Sequence, residues 1–88
     1  MCGIAALFSR QAGTLRQTQA MTRAIRHRGP DDEGFVCLGG ETALVTGGGD
    51  TPAESMTDRF AYTPTQRWQD EVPTGTAAVL GHRRLSIL

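Results

Sequence analysis

The 88-residue sequence contains no lysine: its nine basic residues are all arginine, and nine acidic residues balance them. With no excess of positive charge, composition gives no electrostatic reason to expect nucleic acid or an anionic membrane as a partner. Cysteine is scarce as well. Cys2 and Cys37 form no CxxC pair, and the two histidines, His27 and His82, lie far apart, a pattern that does not fit a zinc site. Long apolar runs are missing. The run at the front, Ile4 to Phe8, has no basic segment ahead of it, which argues against a signal peptide or a membrane span. With no disulfide framework, the expected compartment is the cytoplasm. Only 39% of residues are hydrophobic, while eleven glycines and four prolines predict many turns. A chain of this length buries only about 60–65% of its unfolded surface, so its core must be thin.

The pattern along the chain predicts a small mixed domain. Ile4 to Phe8 reads as a buried strand, closed by Ser9-Arg10-Gln11. Gly13-Thr14 marks a turn. Leu15 to Arg26 then fits a helix whose inner face is Leu15, Thr18, Met21 and Ile25. Gly29 and Pro30 end it. Phe35–Leu38 and Thr42–Thr46 predict two strands joined by a hairpin at Gly39-Gly40. Residues 47–75 carry three prolines and five acids against two arginines, and they read as a long surface excursion with a weak helix near Ala53 to Phe60. Thr76 to Leu80 resumes as a strand leading into "GHRRLSIL".

The chemistry concentrates at the front, in "MCGIAALF". Removal of Met1 would leave Cys2 with its thiol and its free α-amine on one residue. An α-amine has a pKa of about 7.7–8.0, against about 8.5 for a thiol, so near neutral pH the amine can accept the thiol proton. Nucleophile and general base then coincide, with no histidine required. The plainer reading of Cys2 is a small buried hydrophobe. Cys37, in a predicted strand, reads as an inert core thiol.

Three segments together, "MCGIAALF", "HRGPDDEG" after a helix, and "GHRRLSIL", closely resemble the N-terminal glutaminase domain of the asparagine synthetases, which are class II glutamine amidotransferases of the N-terminal-nucleophile hydrolase type. The resemblance covers about residues 1–46 and 76–88. It implies an α+β fold, the N-terminal part of a four-layer αββα sandwich, with residues 1–88 as a partial and incomplete domain. It also implies that Cys2 attacks the side-chain amide of glutamine, giving a γ-glutamyl thioester and ammonia. Arg84 aligns with the arginine that holds the glutamine α-carboxylate, a role suited to a guanidinium's paired hydrogen bonds. Ile87 matches a position whose backbone lies along the substrate. Arg83 is expected to remain a solvated surface residue. His27 is expected to be structural, in a turn that Arg28 and Asp31 fix through polar contacts, with contact between Arg28 and the substrate region left open.

The chain departs from the resemblance in two places. Residues 47–75 are an insertion, whose Phe60, Tyr62 and Trp68 are expected to pack down rather than anchor a partner. The family's oxyanion-forming Asn-Gly pair, the acidic residues that bind the glutamine α-amine, and the ATP- and Mg-using synthetase domain all come later in the family than Leu88. Losing one oxyanion donor costs about 10²–10³-fold in rate, so the 88 residues alone are expected to be inactive. The expected partners are glutamine and the remainder of the same enzyme; no cofactor or metal is expected in this segment. An alternative stays open: an inactive or non-enzymatic fragment that acts as a partner-binding module.

Overall fold

The computed structural model describes residues 2–40, 42–57, 60, 62–68 and 72–85. Its elements are β1 (Gly3–Phe8), α1 (Ala12–Leu15), α2 (Gln17–Ala24), β2 (Asp32–Gly39), β3 (Thr42–Gly47), β4 (Gln66–Arg67) and β5 (Ala78–Arg84), with short 3-10 helices at Arg26–Arg28 and Ala53–Met56. The strands form one sheet in the order β1-β5-β2-β3-β4. All pairs are antiparallel except β3 with β4. The fold class is α+β, as the sequence predicts. One helical layer on one mixed sheet is compatible with part of an αββα sandwich.

Strand periodicity divides the sheet into two faces. Gly3, Ala5, Phe35, Cys37, Val79, Gly81 and Arg83 point toward the helices and are buried. Leu15, Phe35, Cys37 and Val79 form the core, with Leu7, Leu44, Trp68 and Val72 packed against it. The Phe35 and Trp68 rings meet edge to face, 4.8 Å between centroids. Each large apolar side chain so enclosed contributes about 1.5–3 kcal/mol.

Two glycines let α2 approach the sheet closely. A Cβ on Gly81 would lie 2.5 Å from Thr22 Cγ2, and one on Gly3 would lie 2.8 Å from Ile25 Cδ1. The helix therefore meets the sheet through small side chains. Thr18 and Thr22 are fully buried, while Met21 lies at the surface. This corrects the inner face expected from the sequence, where Met21 stood in place of Thr22. The threonines tolerate burial because their hydroxyls donate to carbonyls within the helical segment, Thr18 Oγ1 to Leu15 at 2.8 Å and Thr22 Oγ1 to Gln19 at 2.9 Å. Their methyl groups then remain for packing.

The opposite sheet face is uncovered over β1. Ile4 is 77% and Phe8 74% exposed, so β1 is buried on one side only, not throughout as its apolar run implied. The hairpin between β2 and β3 forms as expected, with Gly40 at φ 57° in the turn. The helix expected over Leu15 to Arg26 is split into α1 and α2, and α2 stops at Ala24.

Residues 47–75 do not simply loop through solvent. β3 extends to Gly47, Thr51 and Thr63 are buried, and β4 pairs with the β3 edge. The expected weak helix is a 3-10 turn at Ala53–Met56. Trp68 packs against the core, whereas Phe60 and Tyr62 stack on each other at the surface instead of packing down.

Candidate functional site

The register of β1 against β5 decides where the candidate residues stand. Gly3 pairs with Arg83 and Ile4 with His82. Cys2 and Arg84 are the next residue along from the Gly3–Arg83 pair in each strand, so both stand at the same end of two adjacent strands. Cys2 is exposed and its thiol is free. Arg84 is exposed, and it pairs with Asp32 across β2. Its carbonyl accepts the Asp31 N–H at 3.1 Å. No ion pair among the described residues engages the Arg84 guanidinium. Met1 and Ile87 lie outside the described residues.

The "HRGPD" turn abuts this end of the sheet. The Arg28 Cβ lies 3.7 Å from where a Gly3 Cβ would be. A Cβ on Gly29 would come within 2.6 Å of the Arg83–Arg84 peptide, so only glycine permits this close approach. The Gly29 backbone is extended, with φ −152°, so the constraint is contact rather than torsion. Pro30 bridges to Arg84. His27 is exposed within the 3-10 turn.

Arg83 overturns the surface reading. Its side chain is 1% exposed and points to the helix face. It forms ion pairs with Glu33 at 3.1 Å and Asp50 at 2.9 Å, and its Nε donates to the Gly29 carbonyl at 2.8 Å. Glu33 also accepts the Asp50 N–H at 2.6 Å, and the Glu33 carbonyl accepts the Thr51 hydroxyl. The Arg83 hydrogen bond, with Arg26 at 3.0 Å, holds the Asp50 carboxyl below its ordinary range, although desolvation opposes this. Arg83 thus fastens the Gly29 turn, β2 and the Gly48–Asp50 bend to one another. The period-two pattern of a strand running through "HRR" would have placed the two arginines on opposite faces.

On the face away from the helices, a cavity of about 680 Å³ lies beside Arg84. Ile4, His82 and Arg84 line it from β1 and β5, and Ser55, Tyr62 and Pro64 line it from the segment after β3. A second cavity, about 620 Å³, lies at the far end of the same two strands, between Arg10, Arg16 and residues 72–77. It is remote from Cys2 and Arg84. Cys37 is buried on the helix face, and desolvation pushes its thiol up, in keeping with an inert core cysteine. Among the described residues, no group of three or more His, Cys, Asp or Glu side chains could hold a metal ion, and no helix is long and apolar enough to cross a membrane.

The end of the sheet therefore offers, among the described residues, an exposed thiol on the strand next to a guanidinium outside any ion pair, and that guanidinium lines an open cavity. A thiol can attack an acyl carbon, and a guanidinium can orient a carboxylate. The model of a family described as a glutamine amidotransferase domain matches residues 1–47. No curated protein and no solved structure matches the chain.

Proposed function

This chain belongs to the glutamine amidotransferase domain family, and from that premise we propose that it is the N-terminal segment of a glutamine-hydrolysing amidotransferase of the asparagine synthetase type. The observation that carries the reading is the β1–β5 register, which brings Cys2 and Arg84 to one end of adjacent strands, with Arg84 on the lining of the open cavity.

In the proposed reaction, loss of Met1 frees the Cys2 α-amine, which takes the thiol proton. The thiolate attacks the glutamine side-chain carbonyl. Collapse of the adduct breaks the C–N bond, the proton passes to the leaving nitrogen, and ammonia departs, leaving a γ-glutamyl thioester. Water then cleaves the C–S bond, returning the thiol and releasing glutamate. Arg84 holds the α-carboxylate through paired hydrogen bonds, and this fixes the distance from the carboxylate to the attacked carbon. In an enzyme of this type the ammonia would pass to a synthetase domain that uses ATP and Mg, with aspartate as the family's default acceptor.

The test is a glutaminase assay on the whole enzyme of which these residues form the N-terminal segment, and on its variants, since the 88 residues alone are expected to be inactive. Cys2→Ala is expected to abolish glutamate release. Arg84→Ala is expected to raise KM for glutamine at least tenfold with a smaller change in kcat. Intact mass is expected to show the methionine removed. Glutamate release undiminished in Cys2→Ala would refute the nucleophile. Glutaminase activity without asparagine formation from aspartate and ATP would refute the finer class and leave the coarser one standing.

A further inference from the structure

The segment after β3 has no role in the proposed glutaminase chemistry, yet it reaches the same cavity. We propose that this segment supplies the outer wall of the glutamine site, with Tyr62 as the specificity-determining residue that fits the cavity to the length of the substrate side chain. The proposal rests on the glutamine reading of the site.

Three observations converge on it. First, Tyr62 and Ser55 share the lining of one cavity with Arg84 and Ile4. Second, the described residues of the segment are bonded to the sheet and to one another. Ser55 Oγ donates to Asp32 Oδ2 at 3.0 Å, and Asp32 is the cross-strand partner of Arg84. The Phe60 N–H donates to Thr63 Oγ1 at 3.2 Å, while the Thr63 N–H donates to the Phe60 carbonyl at 3.0 Å, closing a turn on the buried Thr63. The Thr65 N–H reaches the Val45 carbonyl at 3.4 Å and returns the chain to β3. Third, Tyr62 is 71% exposed even though it is so placed. It is stacked on Phe60 with ring centroids 5.3 Å apart and planes 7° from parallel. An aromatic surface fixed at a cavity rim, with a charged anchor on the facing strand, is the arrangement that sorts ligands by size: the guanidinium sets where one end of the ligand sits, and the ring limits how far the rest can extend. One methylene in such a site changes selectivity by about 10–200-fold.

The experiment measures alkylation of Cys2, in the whole enzyme of which these residues form the N-terminal segment, by a glutamine analogue bearing a diazoketone in place of the amide. Its homologue, one methylene shorter, and iodoacetamide serve as comparators. In the labelling step the diazo carbon takes up the thiol proton, the sulfur bonds to that carbon, and dinitrogen leaves. The wild-type protein is expected to prefer the glutamine-length reagent over the shorter one by at least tenfold. Tyr62→Ala is expected to cut that preference about tenfold and leave the iodoacetamide rate within twofold. Tyr62→Phe, which keeps the ring, is expected to retain the preference. Tyr62→Ala with its preference intact and its iodoacetamide rate unchanged would overturn the wall while sparing the glutamine reading. A wild-type protein that shows no preference for the glutamine-length reagent would overturn both.

Discussion

Replacing Arg83 by methionine tests the buried ionic cluster directly. The substitution keeps most of the side-chain volume and removes the charge. Glu33 would then keep a carboxylate on the helix face with its nearest cation gone, and the Gly29 carbonyl would lose its donor at 2.8 Å. Removing one partner of a buried pair costs about 3–5 kcal/mol, because the other charge is left without compensation. The Asp50 pair adds less, since that carboxylate is 30% exposed and Arg26 remains beside it. A small domain has about 5–15 kcal/mol of stability in all, so the expected loss is a large share of it. With a urea dependence of about 1.5 kcal/mol per molar, the unfolding midpoint should fall by about 2–3 M. Adding Glu33→Gln should recover at least half of the loss, because the stranded charge is then gone. A midpoint drop of less than about 0.5 M for Arg83→Met, or a double variant no more stable than the single, would refute the argument.

Acid should act on the same cluster. Asp50 is held below its ordinary value in the folded state, so its contribution is fully present above the unfolded carboxylate value of about 3.9 and is lost as pH falls through the depressed folded value. Asp50→Asn should flatten the stability profile in that acid range and leave its shape near neutrality unchanged. The two thiols should separate cleanly: a native-state thiol titration is expected to count Cys2 quickly and Cys37 only after denaturation, and equal rates would contradict the burial. Gly81→Ala should cost about 1–3 kcal/mol through the 2.5 Å contact with Thr22 Cγ2, and Thr22→Ser, which removes that methyl, should relieve the penalty in urea unfolding of the pair.

The glycine pair of the hairpin, the strand after it and the helix before "HRGP" are legible because each is a local signal: a turn residue or an apolar period. The inner face of α2 reads one residue off because hydropathy counts threonine as polar, whereas Thr22 satisfies its hydroxyl within its own helix and packs its methyl under Gly81. Burial of Arg83 is hidden for another reason. Its partners stand at positions 33 and 50, and no spacing rule links three such distant charges. The exposure of Ile4 and Phe8 is hidden because an apolar run looks the same whether one face of a strand is covered or both. Cys2 is legible from the chemistry of a cysteine behind the first methionine together with the resemblance, Arg84 from the resemblance alone, and the strand register is what makes them neighbours.

The tandem guanidinium groups at the end of β5 leave the backbone in opposite directions, one into the helical layer and one toward the open cavity. Neighbours in the chain are thereby assigned to separate tasks, and lesions at the two positions should look unlike each other in the laboratory: poor yield and early melting from the first, normal yield with weakened substrate capture from the second. Sliding β5 by a single step would exchange those duties and ruin both at once, so the length of the preceding connection is under tighter constraint than its polar composition would imply.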